Sequence, residues 1–506
     1  MIVQSPAHTV FKFSNEGTQN LGVGTKIDMR TVLSSKTLKG LDVYKNNMIT
    51  ADQLMIKVDN AEGTATGMDI STGSIVDLGS GSIIDVRTGN PKSSSKAVSI
   101  SGKDAELRAN DLSIKAFGEG KVKGTAISVT GFASVDLGKG TVIDADYQGI
   151  YIGDSKVKAD GITMNIKGDV NPFGINSNYG LNEIDLGANS IINIEGQNAM
   201  GIWLTGDGYG SDAGDIFTAR GTNSRGIMLQ GDMPASRIDF KLSDAVIDVA
   251  GNYAMYALNS YSKATLKDVS IIIAEDRTTP GSGAFGLHAA SGGQYDIHNL
   301  TVKAGINSYA VSARSGSHYK IAGNTLIQHD VIDGFAMNAD GQNTEISVDG
   351  VINIHGAIFA GNQAKIDLTS ENSSVITGAI NTMTSSKEGR SSIDVTESLR
   401  EYIDDNGNAH AYIDYVINKV EALVGDNRAT DPGIVNLAGQ GSVWNVAGNS
   451  RLSRLNLTNG FMNLAYGKGC NQVEVADFSG NMSLLFKVNV DENASDFLKI
   501  TRSFIW

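Results

Sequence analysis

The sequence predicts an all-β fold, a right-handed parallel β-helix (a solenoid of stacked coils), with a small helical insertion near 395–427. Three observations predict it. The stretch SIVDLGSGSIIDV at 74–86 returns as ASVDLGKGTVIDA at 133–145 and as NEIDLGANSIINI at 182–194. A second marker, a small residue followed by apolar–any–apolar or small, recurs at a mean step of roughly 26 residues, within the range that signals stacked repeats. The chain holds 59 Gly but only 6 Pro in 506 residues, with 41% hydrophobic residues. Many turn formers, few prolines and enough Ile and Val for a core describe many short strands rather than a disordered Gly-rich chain.

The repeat is taken first. Weaker relatives of the opening stretch, AELRANDLSIKAF at 105–117 and SKVKADGITMNIK at 155–167, lie between its strong copies. The strong copies therefore mark a double period. The marker falls at Gly67, Ala97, Ala126, Gly149, Gly174, Gly201, Gly226, Ala254, Gly286, Ala310, Ala336 and Ala357. Runs such as GIWLTG and SIINIEG alternate with period two and are broken by Gly, Asn or Asp, as short strands are. One such strand cannot bury its apolar face alone, whereas three wound into a coil can, once the next coil stacks above. Each inward Ile, Leu or Val is expected above its equivalent one coil earlier. The small marker residue is expected to let the backbone turn tightly. Asp77, Asp136 and Asp185 are expected at turns, bonded to nearby backbone.

Three segments follow: coils over 1–394, an insertion over 395–427, and terminal coils over 428–506. In the insertion Ile413, Val416, Ile417, Val420 and Leu423 keep helical spacing, and Gly425 is placed to end a helix.

Composition narrows the function classes. The net charge is −14 and no long basic stripe occurs, which argues against a nucleic-acid partner. No apolar run is long enough for a transmembrane helix, and the first residues, MIVQSPAHTVFKF, lack the pattern of a signal peptide. The single cysteine, Cys470, reads as a small buried hydrophobe. Polysaccharide enzymes built on β-helices need paired acids on one face. Asp404 and Asp405 are adjacent but fall in the insertion, and the GDSKVK at 153–158 lacks the surroundings of a serine nucleophile. His288, His298 and His318 could approach one another across coils, without metal-ligand spacing. Trp203, beside Tyr209, either lines a carbohydrate-binding surface or packs inward, packing being the default. No catalytic residue, cofactor or metal ligand is assigned.

The text changes after the insertion. Trp444-Asn445-Val446, then Ser450, Leu452, Leu455, Leu457 and Gly460, precede a DFSGN turn at 477–481, a strand from Leu485 to Val490, Asp491, and Asp496-Phe497-Leu498-Lys499-Ile500. This set resembles the C-terminal end of bacterial autotransporter passenger domains of the pertactin-like kind, and the upstream coils resemble the same family's β-helix more loosely. The resemblance implies export through the inner membrane and then through an outer-membrane β-barrel translocator of the same protein. It implies a place on the bacterial surface or outside the cell. It also implies that the terminal coils fold first and template the rest, with Trp444, Leu452, Leu455, Leu457, Gly460, Gly480, Phe486 and Leu498 as the folding nucleus. Neither barrel nor signal peptide is legible, so both ends are expected to be trimmed. The expected function is a non-enzymatic adhesin-like rod, linked to virulence, that binds a host or cell-surface glycan or protein or associates with itself. The alternative is a polysaccharide lyase or glycoside hydrolase.

Overall fold

A computed structural model describes the chain except residues 1, 5–8, 32–35, 90–93, 119–122, 178–179, 206, 211–214, 222, 232–236, 275–283, 307, 372, 383–392, 404–408, 421–432, 468, 491–493 and 506. The protein is an all-β parallel β-solenoid, and no helix occurs among the described residues. It divides into two compact units, Met1–Leu326 and Ile327–Trp506.

In the first unit each coil contributes two or three strands, long strands covering two sides of a coil, and strands between the end coils pair in parallel with their equivalents in the coils before and after. Lys26 pairs with Met55, Met55 with Ile83, and Ile83 with Ser113. The strands on the marker face build one interior column. Ile127 faces Ile150, then Ile175, Ile202, Ile227, Met255, Leu287 and Val311 in successive coils. All eight are fully buried. Burial contributes about 1.5–3 kcal/mol for each such side chain, so the column is a main source of stability.

Asp77 and Asp136 lie inside the strands Ile75–Ser80 and Ser134–Ala145 and Asp185 ends Asn182–Asp185, rather than sitting between strands, but each bonds nearby backbone as expected, at a local turn of the chain just after it. Each accepts a hydrogen bond from the N–H two residues on: Gly79 at 3.0 Å, Gly138 at 3.0 Å and Gly187 at 3.1 Å. Those glycines have φ of +56°, +49° and +64°, the left-handed conformation this turn demands. Ser82, Thr141 and Ser190 close the same turns by donating to the carbonyls of Leu78, Leu137 and Leu186. Ser82 and Ser190 also accept from Leu54 and Ile162, one coil earlier.

The pairing explains the double period. Asp77 lies beside Arg108, Arg108 beside Asp136, Asp136 beside Lys158, and Lys158 beside Asp185. Like charges directly opposite one another destabilise a ladder and opposite charges stabilise it. Strict repetition of the aspartate in every coil would stack carboxylates, so the motif returns on every second coil with a cation between.

The marker residue differs from expectation. It lies inside a strand, not at a turn between strands. Gly67 is within Ala65–Ser71, and a Cβ there would stand 2.6 Å from the Ala97 carbonyl oxygen and 2.6 Å from the Ile84 side chain. The ladder passes over the marker: Thr66 pairs with Lys96 and Met68 with Val98. Gly67 and Met68 are both buried, so two consecutive residues turn inward and the alternation resets. Smallness is set by close approach of the next coil's backbone.

The second unit repeats the architecture. Ile354, Ile376, Trp444, Met462 and Leu484 form one column. Leu368, Leu437, Leu455 and Phe478 form another. Lys365–Ser370 pairs directly with Ile434–Gln440, so the stack passes over the segment between. The expected helix at 395–427 is not found. Ile393–Ile403 and Ala409–Val420 are strands paired antiparallel as a separate hairpin. Ile, Val and Tyr dominate 412–417 and favour a strand, and the sequence between the strands contains Asn406-Gly407, a hairpin-turn pair. Leu423, Gly425, Asp404 and Asp405 lie outside the described residues.

Candidate functional site

Because the marker and the residue after it both turn inward, the residues flanking that pair both face outward. Each position makes a column along the first unit. The residue before the marker is Gln148, Phe173, Met200, Arg225, Tyr253, Phe285 and Tyr309 in successive coils. The second residue after it is Tyr151, Asn176, Trp203, Met228, Tyr256, His288 and Ser312.

The two columns lean together into one aromatic strip. Phe173 and Trp203 stack with centroids 5.9 Å apart, and Tyr253 and Tyr256 at 4.8 Å. Along the coils Tyr253 stacks on Phe285 at 5.2 Å and Phe285 on Tyr309 at 4.8 Å. Phe173, Met200 and Met228 form a buried cluster of their own, with Tyr147, Trp203, Tyr256 and Leu258 half-buried around it. Each aromatic pair adds about 0.5–1.5 kcal/mol beyond its burial.

The polar chemistry of the strip is unsatisfied. Gln148 Nε2, Trp203 Nε1, Arg225 Nε, His288 Nδ1, Ser312 Oγ and Arg314 Nε are buried without a hydrogen-bond partner. Only two further such atoms, on Thr325 and Asn463, occur among the described residues, so the deficit is concentrated here. Leaving a buried polar atom unpaired costs about 1–3 kcal/mol, which makes such a concentration a sign of something other than packing. The cations lie over rings: Lys123 Nζ is 4.2 Å from the Tyr147 centroid, and the Arg225 and Arg314 guanidiniums are 5.9 Å from Tyr253 and Phe285. Arg225 also reaches Met228 Sδ at 3.6 Å. Neither arginine pairs with a carboxylate among the described residues.

His288, 5% exposed, is packed between Tyr253, Tyr256 and Phe285. Burial, with the charge of Arg314 second, holds its pKa down at about 3, so the ring is neutral. Burial also raises the Tyr253 and Tyr256 hydroxyls above their usual range. Beneath the strip, Tyr295 and Tyr319 stack at 4.7 Å, each 2% exposed. Their hydroxyls donate to the His288 carbonyl at 3.2 Å and the Ser312 carbonyl at 3.0 Å, and burial keeps them protonated. The backbone of the outer column is thus tied to the interior. The strip brings stacked rings, cations and unpaired polar atoms together on one side of the coils.

Trp203, left between two readings by the sequence, belongs to this strip: it is half-buried, outside the interior column, and stacked on Phe173. The side chain of Tyr209 lies outside the described residues. His298 and His318 are exposed while His288 is buried, and no group of three or more metal-ligating side chains occurs among the described residues. Cys470 is half-buried rather than buried.

In the second unit Trp444 is fully buried, and its indole donates to the Gly378 carbonyl at 3.1 Å. Leu452, Leu455 and Leu457 are buried. Gly460 lies inside Ser450–Asn463, and Gly480 has φ +112° against the Leu457 backbone. Leu498 is half-buried and pairs with Val473. Phe486 departs from the expected nucleus: it is 44% exposed, past the end of the strand Gln472–Leu485 that would have carried it inward. A polar clasp escaped sequence reading. Buried Asn471 donates from Nδ2 to the carbonyls of Val446, Leu464 and Tyr466, and buried Asp496 accepts from the N–H groups of Asn471 and Lys487.

No family model matches the chain. Over 427 residues it is 25% identical to the probable autotransporter YcgV of Escherichia coli (strain K12), covering 70% of this chain and 42% of that protein. The chain fits an autotransporter passenger domain. A second relative, the putative uncharacterized protein YcgV of Escherichia coli O157:H7, is 25% identical over 387 residues, 55% of this chain and 69% of that one. The chain spans less than half the length of the first of these relatives. Repeat and parallel β-solenoid stand beside the relatives as independent observations.

Proposed function

We propose that this passenger is a non-enzymatic adhesive rod, carried out of the bacterium and displayed on the outer membrane or released from it. The single observation that carries the reading is the strip: stacked rings, uncompensated cations and unpaired donors continue across successive coils of the first unit. Such a surface recognises an extended partner, and a solenoid presents it at a regular spacing. Export is supported by the likeness to the K12 relative, a probable autotransporter. A β-barrel translocator of the same protein is the expected partner for that step. The buried terminal residues Trp444, Leu452, Leu455 and Leu457, with Gly460 and Gly480, are proposed as the coils that fold first.

The test uses beads coated with the purified chain, set against epithelial cells and against one another. Attachment or clumping above that of beads coated with bovine serum albumin supports the reading. No attachment and no clumping contradicts it. Shortening of a polysaccharide by the chain alone would replace it with the enzymatic alternative.

A further inference from the structure

Resting on that binding reading, we infer that the strip from Lys123 to Arg314 is a binding site for a linear acidic glycan. Its pyranose rings would lie along the outer edges of the aromatic column, whose faces are stacked on one another, and its carboxylates or sulfates would meet Arg225 and Arg314. Four observations carry the inference. The ring planes of Tyr253, Phe285 and Tyr309 are near parallel, at 13° and 10°, and repeat coil by coil. Coils rise by about 4.8 Å, a spacing comparable to the advance of one pyranose in an extended chain. Arg225 and the coil of Arg314 are three coil steps apart, roughly 14 Å on that rise, so one short oligosaccharide reaches both. Both guanidiniums lack a carboxylate partner among the described residues, on a protein whose net charge is −14.

A fifth observation separates a glycan from a peptide. The strands carrying the strip are hydrogen-bonded to neighbours on both sides, so they offer no free edge for strand addition. A peptide would lose its main-chain anchoring there, whereas a sugar needs only apolar contact, donors and charge. His288, 5% exposed with Nδ1 unpaired, and Trp203 Nε1 supply donors or acceptors for hydroxyls once neighbouring side chains make way. Apolar contact with the outer edges of the rings accounts for affinity and the two arginines for the preference for negative charge.

The experiment is calorimetric titration of the full chain with hexasaccharides of three kinds: uronic-acid-containing (hyaluronan), sulfated (heparin-derived) and neutral (maltohexaose). The expected result is binding of at least one acidic hexasaccharide at millimolar concentration or below, with the neutral one weaker by about tenfold or more. Affinity should fall with added salt. Arg225→Gln with Arg314→Gln should remove the acidic preference at unchanged melting temperature. Tyr256→Leu, which keeps an apolar side chain, should weaken acidic and neutral ligands alike. Equal affinity for acidic and neutral chains overturns the acidic assignment while leaving a binding rod. An acidic preference kept by the arginine variant, together with unchanged affinities in Tyr256→Leu, places the site elsewhere and overturns the inference. No binding to any of the three overturns it too, and the bead assay then decides separately whether the adhesive reading also fails.

Discussion

The first unit has two outer faces that solve the same problem differently. On the Asp-Leu-Gly face the polar groups are satisfied locally: each aspartate takes its own turn's N–H, each Ser or Thr closes that turn, and charges alternate from coil to coil. On the marker face the outward positions carry rings and cations, and six buried polar atoms have no partner. The interior columns beneath both are equally buried. What differs is therefore not stability of the coil but what the surface leaves open. The strict repeat appears where the surface is closed on itself, and the looser pattern where it is not.

The largest expected effect breaks both faces at once. Leu287→Ala under the marker face should cost about 2–5 kcal/mol, and Phe240→Ala under the other about 3–5 kcal/mol, read from denaturant midpoints. A markedly smaller loss at Leu287 would mean that the marker-face interior is loosely packed.

Acid should distinguish the faces. Unfolded His288 titrates near the ordinary value of about 6.5, and the folded ring near 3. Between those values the unfolded chain holds a proton that the folded chain lacks, so stability is lost as pH falls from about 6.5 towards 3 and is level above. The groups facing the ring are Tyr253, Tyr256, Phe285 and Arg314, and the cation adds to the effect. His288→Gln should remove about 2–4 kcal/mol of the loss between pH 6.5 and pH 4, an order-of-magnitude figure. An unchanged acid slope would show that the ring is open to solvent.

Smaller effects sharpen the contrast. Tyr295→Phe removes the hydroxyl that holds the His288 carbonyl and should cost about 0.5–1.5 kcal/mol at equilibrium. Arg108→Glu sets a third carboxylate between Asp77 and Asp136, takes the partner from Glu106, and should cost about 0.2–1 kcal/mol, fading in high salt because the groups are at the surface. No salt dependence there would remove charge alternation as the reason for the double period.

Much of the solenoid was legible because its rule is local. Ile127 to Val311 could be aligned by marker spacing alone, and Asp77 announced its turn through the glycine two residues on. The strip was not read, although its letters are there. Tyr253, Phe285 and Tyr309 precede the marker, and Trp203, Tyr256 and His288 follow it. Only knowledge that the marker resets the alternation shows that these positions share a side. The hairpin at 393–420 was misread because Ile413, Val416, Ile417 and Val420 fit a helical period while their β-branching and the Asn406-Gly407 pair favour strands. Phe486 was placed in the nucleus by its motif, yet a short displacement past a strand end suffices to expose it.

The central claim is that the marker face, and not the rest of the solenoid, is open to a ligand. Its most direct test is the indole N–H resonances of the isotope-labelled chain during titration with an acidic hexasaccharide, assigned by Trp203→Phe and Trp444→Phe. Trp203 Nε1 has no partner, whereas Trp444 Nε1 is bonded to Gly378 inside the second unit. The account predicts that the Trp203 resonance moves with saturation while that of Trp444 stays still. A still Trp203 resonance under conditions where the hexasaccharide binds, or equal movement of both, would contradict it.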